Sequence, residues 1–298
     1  MADKQILHMA TPLKHMSPFD VNMALDAGYD AVLTYTNVTL EEVPGLVQDA
    51  MFSRPPKLGA RTGMFFGGKN AILALDMLAA ARKALMGPFA ISLFADPAGS
   101  FTTAAAMVVC VEKVLKQKKQ RGLGGLKAAV FGATGVVGFS SAVIAALEGA
   151  NVTLVGYDGP ARVSAAAKEI KARFNVDVRA ADGSDDAKKS AILAQAEAAL
   201  CAGRSGVRIL SAAQLAAAPH LLVVADVNAV PPAGVEGLEM TANGAELTPR
   251  GTLGIGPLAV GNVKYQTESG LFRRMIAADK PVRFDFRDAF QFARELHG

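Results

Sequence analysis

Residues 127–138 read KAAVFGATGVVG, and FSSAVIAALE follows as residues 139–148. A short apolar run of β-forming residues enters a glycine turn, and apolar residues at helical spacing leave it. This order is typical of the first strand, phosphate loop and first helix of a dinucleotide-binding βαβ unit. Glycines let the backbone turn sharply and approach a pyrophosphate, whose charge meets free N–H groups at the helix N-terminus. The stretch therefore predicts a nucleotide-binding loop in a parallel α/β sheet.

The flanking sequence supports this interpretation. A second apolar run covers residues 151–156, and Asp158 lies 20 residues beyond Gly138, where an acid that binds the adenosine ribose is expected. The glycines read G-x-x-G-x-x-G, with Ala133 where the standard fingerprint has its first glycine. A tight strand-to-helix turn without a nucleotide, with Asp158 solvated at a strand end, is the alternative.

Asp158 also bears on the choice of cofactor. A carboxylate that accepts hydrogen bonds from both ribose hydroxyls favours NAD and repels the 2′-phosphate of NADP. Arg162 follows four residues later and offers a positive charge to that phosphate. We therefore expect use of NAD or NADP, with a preference for NAD.

Composition excludes several classes of function. The net charge is +4, with four tyrosines and no tryptophan, so a basic face interleaved with aromatic residues for nucleic acid is not expected. No charge-free run is long enough to cross a bilayer, and the N-terminal residues do not resemble a secretory signal. Cys110 and Cys201 are too few for a disulfide framework or a zinc cluster. We expect a cytoplasmic protein with reduced thiols, no metal and no membrane partner.

The length of 298 residues permits two domains. A basic run at residues 116–121 ends in GLGG, which we interpret as a solvated helix end and a linker, with a domain boundary near 120. We predict a two-domain α/β protein with a cleft for the active site between the domains: a substrate domain over 1–120, completed by helices in 261–298, and a Rossmann domain over 121–260. Within the first domain we predict strands at 5–9, 31–35, 62–66 and 89–94, and helices at 18–27, 40–51, 70–86 and 102–115. Within the second domain we predict, among other elements, a helix at 185–198.

Alternating strands and helices predict an open, mainly parallel sheet, which binds ligands at the carboxyl ends of its strands. Unusual loops follow three strands of the first domain, at residues 11–20, 67–70 and 96–103. Asp226 and Asn228 follow the apolar run 221–225 in the second domain, where the nicotinamide end of a cofactor is expected. Turn and capping chemistry alone is the alternative for each loop.

These residues resemble the NAD(P)-dependent methylene-tetrahydromethanopterin dehydrogenases of methylotrophic bacteria. The resemblance covers essentially the whole chain in order, and is closest to the branch that accepts both cofactors, because the NADP-restricted branch has a basic residue where this chain has Tyr157 and Asp158. Its motifs are SPFDV at 17–21, FGG at 66–68, GPF at 87–89, DPAGSFTTAAA at 96–106, GATGVVG at 132–138, VADVNAVPP at 224–232 and LGIG at 253–256.

The resemblance implies oxidation of methylene-tetrahydromethanopterin to its methenyl form, with hydride passing to nicotinamide, in formaldehyde oxidation. The methylene carbon lies between two nitrogens that stabilise the resulting cation, so orientation and electrostatics suffice without a general base. The resemblance also implies a homo-oligomer built from dimers, up to a hexamer. A methylene-tetrahydrofolate dehydrogenase and a sensor that binds NAD(P) without turnover are the alternatives.

Roles follow from the same resemblance. Phe19 and Asp20 are expected at the pterin ring, with Lys264 as a further catalytic candidate. Just after the Gly-Ile-Gly turn, where the NADP-restricted branch has lysines, this chain has Ala259 and Gly261. Lys264 lies one turn further along, so a surface lysine is the alternative. We expect alanine at Asp20 or Asp96 to lower turnover and to leave folding intact. The expected substrate-binding residues are Lys14, His15, Asp96, Gly99, Ser100, Thr102 and Thr103, and the expected cofactor-binding residues are Gly132, Thr134, Gly135, Val137, Gly138, Asp158, Arg162, Ala202, Gly203, Asp226 and Asn228.

Overall fold

A computed structural model describes residues 3–298. The chain forms two compact units. The first contains the residues up to Thr102 together with Tyr265–Phe292, and the second contains Thr103–Lys264 together with Ala293–Gly298. Both units are α/β, with each sheet built mainly from parallel strands.

The first unit contains a five-stranded parallel sheet in the order β12-β4-β3-β1-β2. Numbered in chain order, its strands are β1 Ile6–Ala10, β2 Ala31–Tyr35, β3 Thr62–Phe66, β4 Ser92–Ala95 and β12 Arg283–Phe284. Its helices are α1 Pro18–Ala27, α2 Val43–Phe52 and α3 Ala71–Ala84, with parts of α4 Ser100–Lys119, α9 Pro257–Ala277 and α10 Phe286–His297.

Aromatic side chains form the centre of the first unit's core. The ring of Phe94 packs edge-on against Phe65 and Phe272, at centroid distances of 5.4 and 5.3 Å. Phe101 packs in the same way on Phe286. Because Phe272 and Phe286 belong to the returning C-terminal segment, this segment supplies part of the core as well as the strand β12.

The second unit contains a seven-stranded sheet in the order β10-β11-β9-β8-β5-β6-β7, in which only β10 is antiparallel to its neighbour among the described strands. The strands are β5 Lys127–Phe131, β6 Asn151–Gly156, β7 Arg179–Asp182, β8 Ala198–Cys201, β9 Val223–Asp226, β10 Asn243–Glu246 and β11 Leu253–Ile255. The helices are α5 Val136–Leu147, α6 Ala161–Phe174, α7 Asp186–Leu193 and α8 Ala212–Ala217.

The boundary between the units falls inside α4, between Thr102 and Thr103, instead of near residue 120. The basic residues at the end of α4 explain the difference. Lys118 donates a hydrogen bond to the carbonyl of Gly244 at 2.7 Å, and Lys119 donates one to the carbonyl of Gly251 at 3.0 Å. The run is the exposed end of a helix, as predicted, but its lysines bind within the second unit, so it is not a linker between the units.

Several element boundaries also differ from the sequence prediction, and two of these differences have a local cause. The strand predicted at 89–94 begins only at Ser92, because Pro88 and Phe89 form a turn in which Phe89 donates its N–H to Met86. In the second unit, α7 ends at Leu193, where Ala194 and Ala196 close a turn that leads into β8.

The stretch Pro97–Lys119, which includes α4, is long and apolar enough to cross a membrane by length and composition alone. Most of its apolar window, 78%, is buried inside the protein. The core helices of globular domains meet the same criterion, so the burial accounts for the apolar composition.

Candidate functional site

The loop after β5 requires glycine at two positions. Gly132 has φ +75°, and a Cβ there would lie 2.2 Å from the carbonyl oxygen of Ala202, which follows β8. Gly138 lies in the first turn of α5, where a Cβ would lie 2.3 Å from the oxygen of Gly132. These contacts bring the start of the helix against the end of the strand, as a phosphate loop requires.

The same loop fits the pyrophosphate of a dinucleotide. Gly135 is the N-cap of α5, and no side chain caps this helix N-terminus among residues 3–298. The first N–H groups of a helix have no acceptor within the helix, and they carry the positive end of its dipole. The N–H groups of Val136, Val137 and Gly138 are therefore available to an anion approaching the loop. The residues fit the cofactor that the sequence predicts.

The end of β6 carries an acid, a base and an aromatic ring. Arg162 donates to the Asp158 carboxylate and to the Tyr157 hydroxyl, at 3.2 Å each, and its guanidinium lies 5.8 Å from the Tyr157 ring centroid. Asp158, and then Tyr157, raise the pKa of Arg162. Asp158 and Arg162 were predicted to contact the ribose end of the cofactor, and the structure brings them together as an exposed ion pair at the carboxyl edge of the sheet.

Asp226 and Asn228 organise the loops beyond β8 and β9. The Asp226 carboxylate is buried and accepts the N–H groups of Asn228 and Val235 at 3.0 and 3.2 Å. Burial raises its pKa in spite of these bonds. The Asn228 amide oxygen accepts the N–H of Gly206 at 3.2 Å, so this side chain joins the two loops.

These loops also contain Ala202 and Gly203. A Cβ at Gly203 would lie 2.6 Å from the Cδ1 atom of Ile209, so the backbone after β8 is closely packed. The predicted contacts of these residues with nicotinamide stay a prediction. Asp226 and Asn228 fix the backbone of these loops through their side-chain hydrogen bonds.

In the first unit, the loops after neighbouring strands meet at the carboxyl edge of the sheet. Gly67, after β3, donates its N–H to Ala10 at 2.9 Å, and Asp96, after β4, donates its N–H to Phe66 at 3.2 Å. Gly68 has φ +127°, and a Cβ there would lie 3.3 Å from the ring of Pro12, in the loop after β1. The three loops singled out in the sequence therefore form one surface of this unit.

Asp96 is fully buried at the start of that surface. Its carboxylate accepts the N–H of Phe101 at 2.8 Å and both the N–H and the hydroxyl of Thr102, at 3.3 and 2.6 Å. The intervening Ala98 has φ +53°, which L-residues rarely adopt. Asp96 therefore holds a strained turn and caps α4, and our expectation that its loss would leave folding intact needs correction.

Phe19 and Asp20 lie in the first turn of α1, directly after the loop that follows β1. Ser17 is the N-cap and accepts the N–H of Asp20, which places the buried Asp20 side chain beside the exposed Phe19 ring. Lys14 and His15 are exposed in the preceding loop. All four residues belong to the first unit, as do Gly99, Ser100 and Thr102 of the other predicted substrate loop.

Lys264 and Thr103 belong instead to the second unit. Lys264 is half-buried on α9. Glu268 lies four residues further along α9 and is fully buried, and it was not among the residues predicted from the sequence. Buried charged groups require paired or hydrogen-bonded surroundings, and local sequence gives no signal of such burial in a helix with mixed polarity.

Among the described residues, no group of three or more His, Cys, Asp or Glu side chains is placed to hold a metal ion.

Comparison with known proteins agrees with this geometry. The N-terminal model of methylene-tetrahydromethanopterin dehydrogenases matches residues 18–98. The NAD(P)-dependent methylenetetrahydromethanopterin dehydrogenase of Methylorubrum extorquens is 53% identical over 295 residues, which is 99% of each chain. The bifunctional protein MdtA of the same organism is 33% identical over 287 residues, which is 96% of each chain.

Among solved structures, quinate dehydrogenase from Corynebacterium glutamicum in complex with NAD superposes with a TM-score of 0.56 at 14% identity, over 98% of this chain and 99% of that one. That likeness concerns the fold, which is of the Rossmann dehydrogenase type. The full-length identity of 53% decides the family. This chain belongs to the methylene-tetrahydromethanopterin dehydrogenases.

Proposed function

We propose that this protein transfers a hydride from methylene-tetrahydromethanopterin to NAD+ or NADP+, giving the methenyl form, in the oxidation of formaldehyde-derived one-carbon units. Membership of the family over the full chain length is the observation that carries the proposal. The phosphate loop after β5, with its uncapped helix N-terminus, supports the cofactor half of the reaction. The shared surface formed by the loops of the first unit supports the carrier half.

The chain's own part is binding and orientation. Nicotinamide, when bound, supplies the hydride acceptor at C4. The backbone from Gly132 to Gly138 would hold the pyrophosphate, with the Thr134 hydroxyl as an added donor, and Asp158 would accept hydrogen bonds from the ribose. Asp226 and Asn228 hold together the loops that would meet the nicotinamide side. No proton transfer to the protein is required, because the substrate's own nitrogens stabilise the cation that forms.

In the first unit, the exposed Phe19 ring offers a stacking surface to the pterin. Asp20, which is buried next to Phe19, and the segment from Gly99 to Thr103, which begins α4, are the proposed polar groups at its edge. Lys14 and His15 are exposed cations or donors suited to the acidic tail of the carrier. Lys264 is proposed as a polarising group.

The decisive experiment measures reduction of NAD+ and NADP+ by absorbance with methylene-tetrahydromethanopterin, and with methylene-tetrahydrofolate in parallel. We expect rapid reduction with the methanopterin carrier only. Equal rates with both carriers would identify a less selective dehydrogenase. Tight cofactor binding without reduction by either carrier would contradict the enzymatic proposal and favour a sensor.

We also infer that both cofactors are accepted, with a preference for NAD. The Asp158–Arg162 pair supports this, since one partner favours a free ribose and the other can meet a 2′-phosphate. Exposed ion pairs are weak, so Arg162 can leave Asp158 at little cost. We further infer a cytoplasmic homo-oligomer built from dimers. Sedimentation analysis of the purified protein tests the assembly.

A further inference from the structure

A polar cavity of about 250 Å³ lies in the second unit against the amino-terminal halves of β5, β6 and β7. Its floor is formed by small residues, Ala128 and Ala129 of β5 and Ala196 after α7. Its walls carry polar and basic side chains, which are Lys127, Asn151, Thr153, Arg179 and Gln195. Further cavities of about 350 and 340 Å³ adjoin it and share Thr153 and Gln195, or Lys127 and Gln195, with it.

The shortness of α7 explains the cavity. α7 has eight residues, so it is about 12 Å long. It packs where Phe131, Val155 and Leu193 form part of the buried core, and its last turn, at Ile192, lines the cavity. The cavity opens where α7 ends, beside Thr153 and Arg179, which are directly paired across β6 and β7.

Two cationic side chains, Lys127 and Arg179, line the cavity, whereas no Asp or Glu is among its lining residues. Lys127, Arg179 and Gln195 are exposed, so the cavity is open to solvent. Within residues 3–298, no hydrogen bond or ion pair engages the side chains of Lys127, Thr153, Arg179 or Gln195. An arginine fork, an ammonium group and two neutral hydrogen-bonding side chains therefore line one recess without an acceptor from the protein.

The acids around the cavity are paired with other cations. Asp182, in the adjoining cavity, binds Lys188 at 2.6 Å, which lowers the pKa of Asp182 to about 2. Glu197 accepts hydrogen bonds from the Lys127 N–H at 2.9 Å and from Arg121 at 3.3 Å. Asp177, two residues before β7, binds Lys171 at 2.8 Å. The positive charges of Lys127 and Arg179 thus keep their attraction for an external anion.

This cavity is distinct from the cofactor loop. Lys127 begins β5 and Gly132 follows its end, so five residues of extended chain separate the two, roughly 16 Å. The cofactor loop lies at the carboxyl edge of the sheet and the cavity lies towards the amino edge. A cofactor bound across the carboxyl edge leaves the cavity open.

We propose that the cavity bounded by Lys127, Thr153, Arg179 and Gln195 is a second anion site, which binds a phosphate-type dianion. A planar guanidinium matches two phosphate oxygens, the ammonium adds a point charge, and Thr153 and Gln195 donate to the remaining oxygens. Inorganic phosphate and the phosphate group of a small metabolite share this chemistry. The cavity volume accommodates either one.

Phosphate titration of the intact protein at constant ionic strength tests the site, with binding followed by calorimetry and by thermal shift in saturating NAD+, which fills the cofactor loop. We expect saturable phosphate binding that falls at least about tenfold in Arg179→Gln, because a charge-assisted bidentate contact is lost. Lys168→Gln is the matched control, since Lys168 is an exposed cation on α6. Thr153→Val tests the pocket without changing its charge and is expected to weaken binding less.

Equal phosphate affinity in wild type, Arg179→Gln and Lys168→Gln would overturn the proposal. Glycerol phosphate distinguishes a metabolite from free phosphate, because tighter binding of the ester assigns the site to the metabolite. Succinate binding as tightly as phosphate would overturn the assignment to phosphate. A change of assembly state in Arg179→Gln, without any phosphate effect in wild type, would identify the face as an interface between copies and would also overturn the proposal.

Discussion

Asp158 and Arg162 form an exposed ion pair whose members have opposite preferences for the two nicotinamide cofactors. The carboxylate suits the free ribose of NAD and repels the 2′-phosphate of NADP, while the guanidinium attracts that phosphate. Because Tyr157 also binds Arg162, the guanidinium keeps a partner if Asp158 binds the ribose as we propose. We therefore expect the balance of cofactor use to depend on these two side chains, which lie four residues apart.

Asp158→Asn removes the negative charge and keeps the size of the side chain. We expect the KM for NADP to fall by about tenfold and the KM for NAD to rise, because repulsion of the 2′-phosphate is lost together with a strong ribose acceptor. Arg162→Gln is the converse variant, and should raise the KM for NADP with little effect on NAD. Steady-state kinetics with both cofactors measure the ratio. An unchanged ratio in both variants would remove the pair from the cofactor site.

Asp96 stabilises the turn that leads into α4, in addition to its proposed place in the substrate-binding loop. Asp96→Ala leaves the N–H groups of Phe101 and Thr102 without their acceptor in a buried site, and we expect a loss of about 2–4 kcal/mol in the free energy of unfolding. Asp96→Asn keeps one acceptor oxygen and should lose about half as much. Urea denaturation measures both. Equal losses in the two variants would show that the hydrogen bonds of the carboxylate are not the cause.

Arg294, near the end of α10, binds two acids within the second unit. Arg294 donates to both oxygens of Glu112 on α4, at 2.9 and 3.2 Å, and to Glu148 after α5 at 2.6 Å. Glu112 is 6% exposed, so removal of the guanidinium leaves a nearly buried carboxylate paired with Lys116, whose ammonium lies 2.9 Å away. A single side chain therefore links three elements that are far apart in sequence.

We expect Arg294→Met to lower the free energy of unfolding by about 1–3 kcal/mol, because charge-assisted hydrogen bonds to a buried acid are lost. Glu148→Gln, which removes only the half-exposed partner, is the matched control and should cost less. Denaturant unfolding of each single variant and of the pair gives the coupling energy. A loss in Arg294→Met no larger than in Glu148→Gln would contradict the role of Glu112.

Helix ends show how much local sequence can predict. Ser17, Pro18 and Gly28 delimit α1 at the predicted residues 18–27, because each acts through its own backbone: a side-chain cap, a fixed φ angle and a φ of +115°. By contrast, α7 ends at Leu193, five residues before the predicted end at Ala198. Ala198 instead begins β8, which pairs with β5 and β9. Alanine-rich sequence is compatible with both structures, so the tertiary partners decide.

The first unit is discontinuous in sequence, and this has a measurable consequence for the whole molecule. Residues 1–102 lack Phe272 and Phe286, which pack against Phe94 and Phe101, and they lack the edge strand β12. We expect a fragment of residues 1–102 to show no cooperative thermal unfolding. The same fragment joined by a flexible linker to residues 265–292 should gain a cooperative transition and an aromatic near-UV circular dichroism signal. Cooperative unfolding of residues 1–102 alone would contradict this account.

The sequence by itself determined the α/β class, the phosphate loop with its three glycines and the family, because strand, glycine turn and helix are set by neighbouring residues and the motifs stand in order along the chain. Only the tertiary structure decided that the basic end of α4 binds within the second unit and that Asp96 holds a strained turn. The burial of Glu268 and the basic cavity at the end of α7 likewise appear only in the tertiary structure. These features depend on which distant segments pack together. Burial and pairing of charge arise from that packing, and local sequence does not encode it.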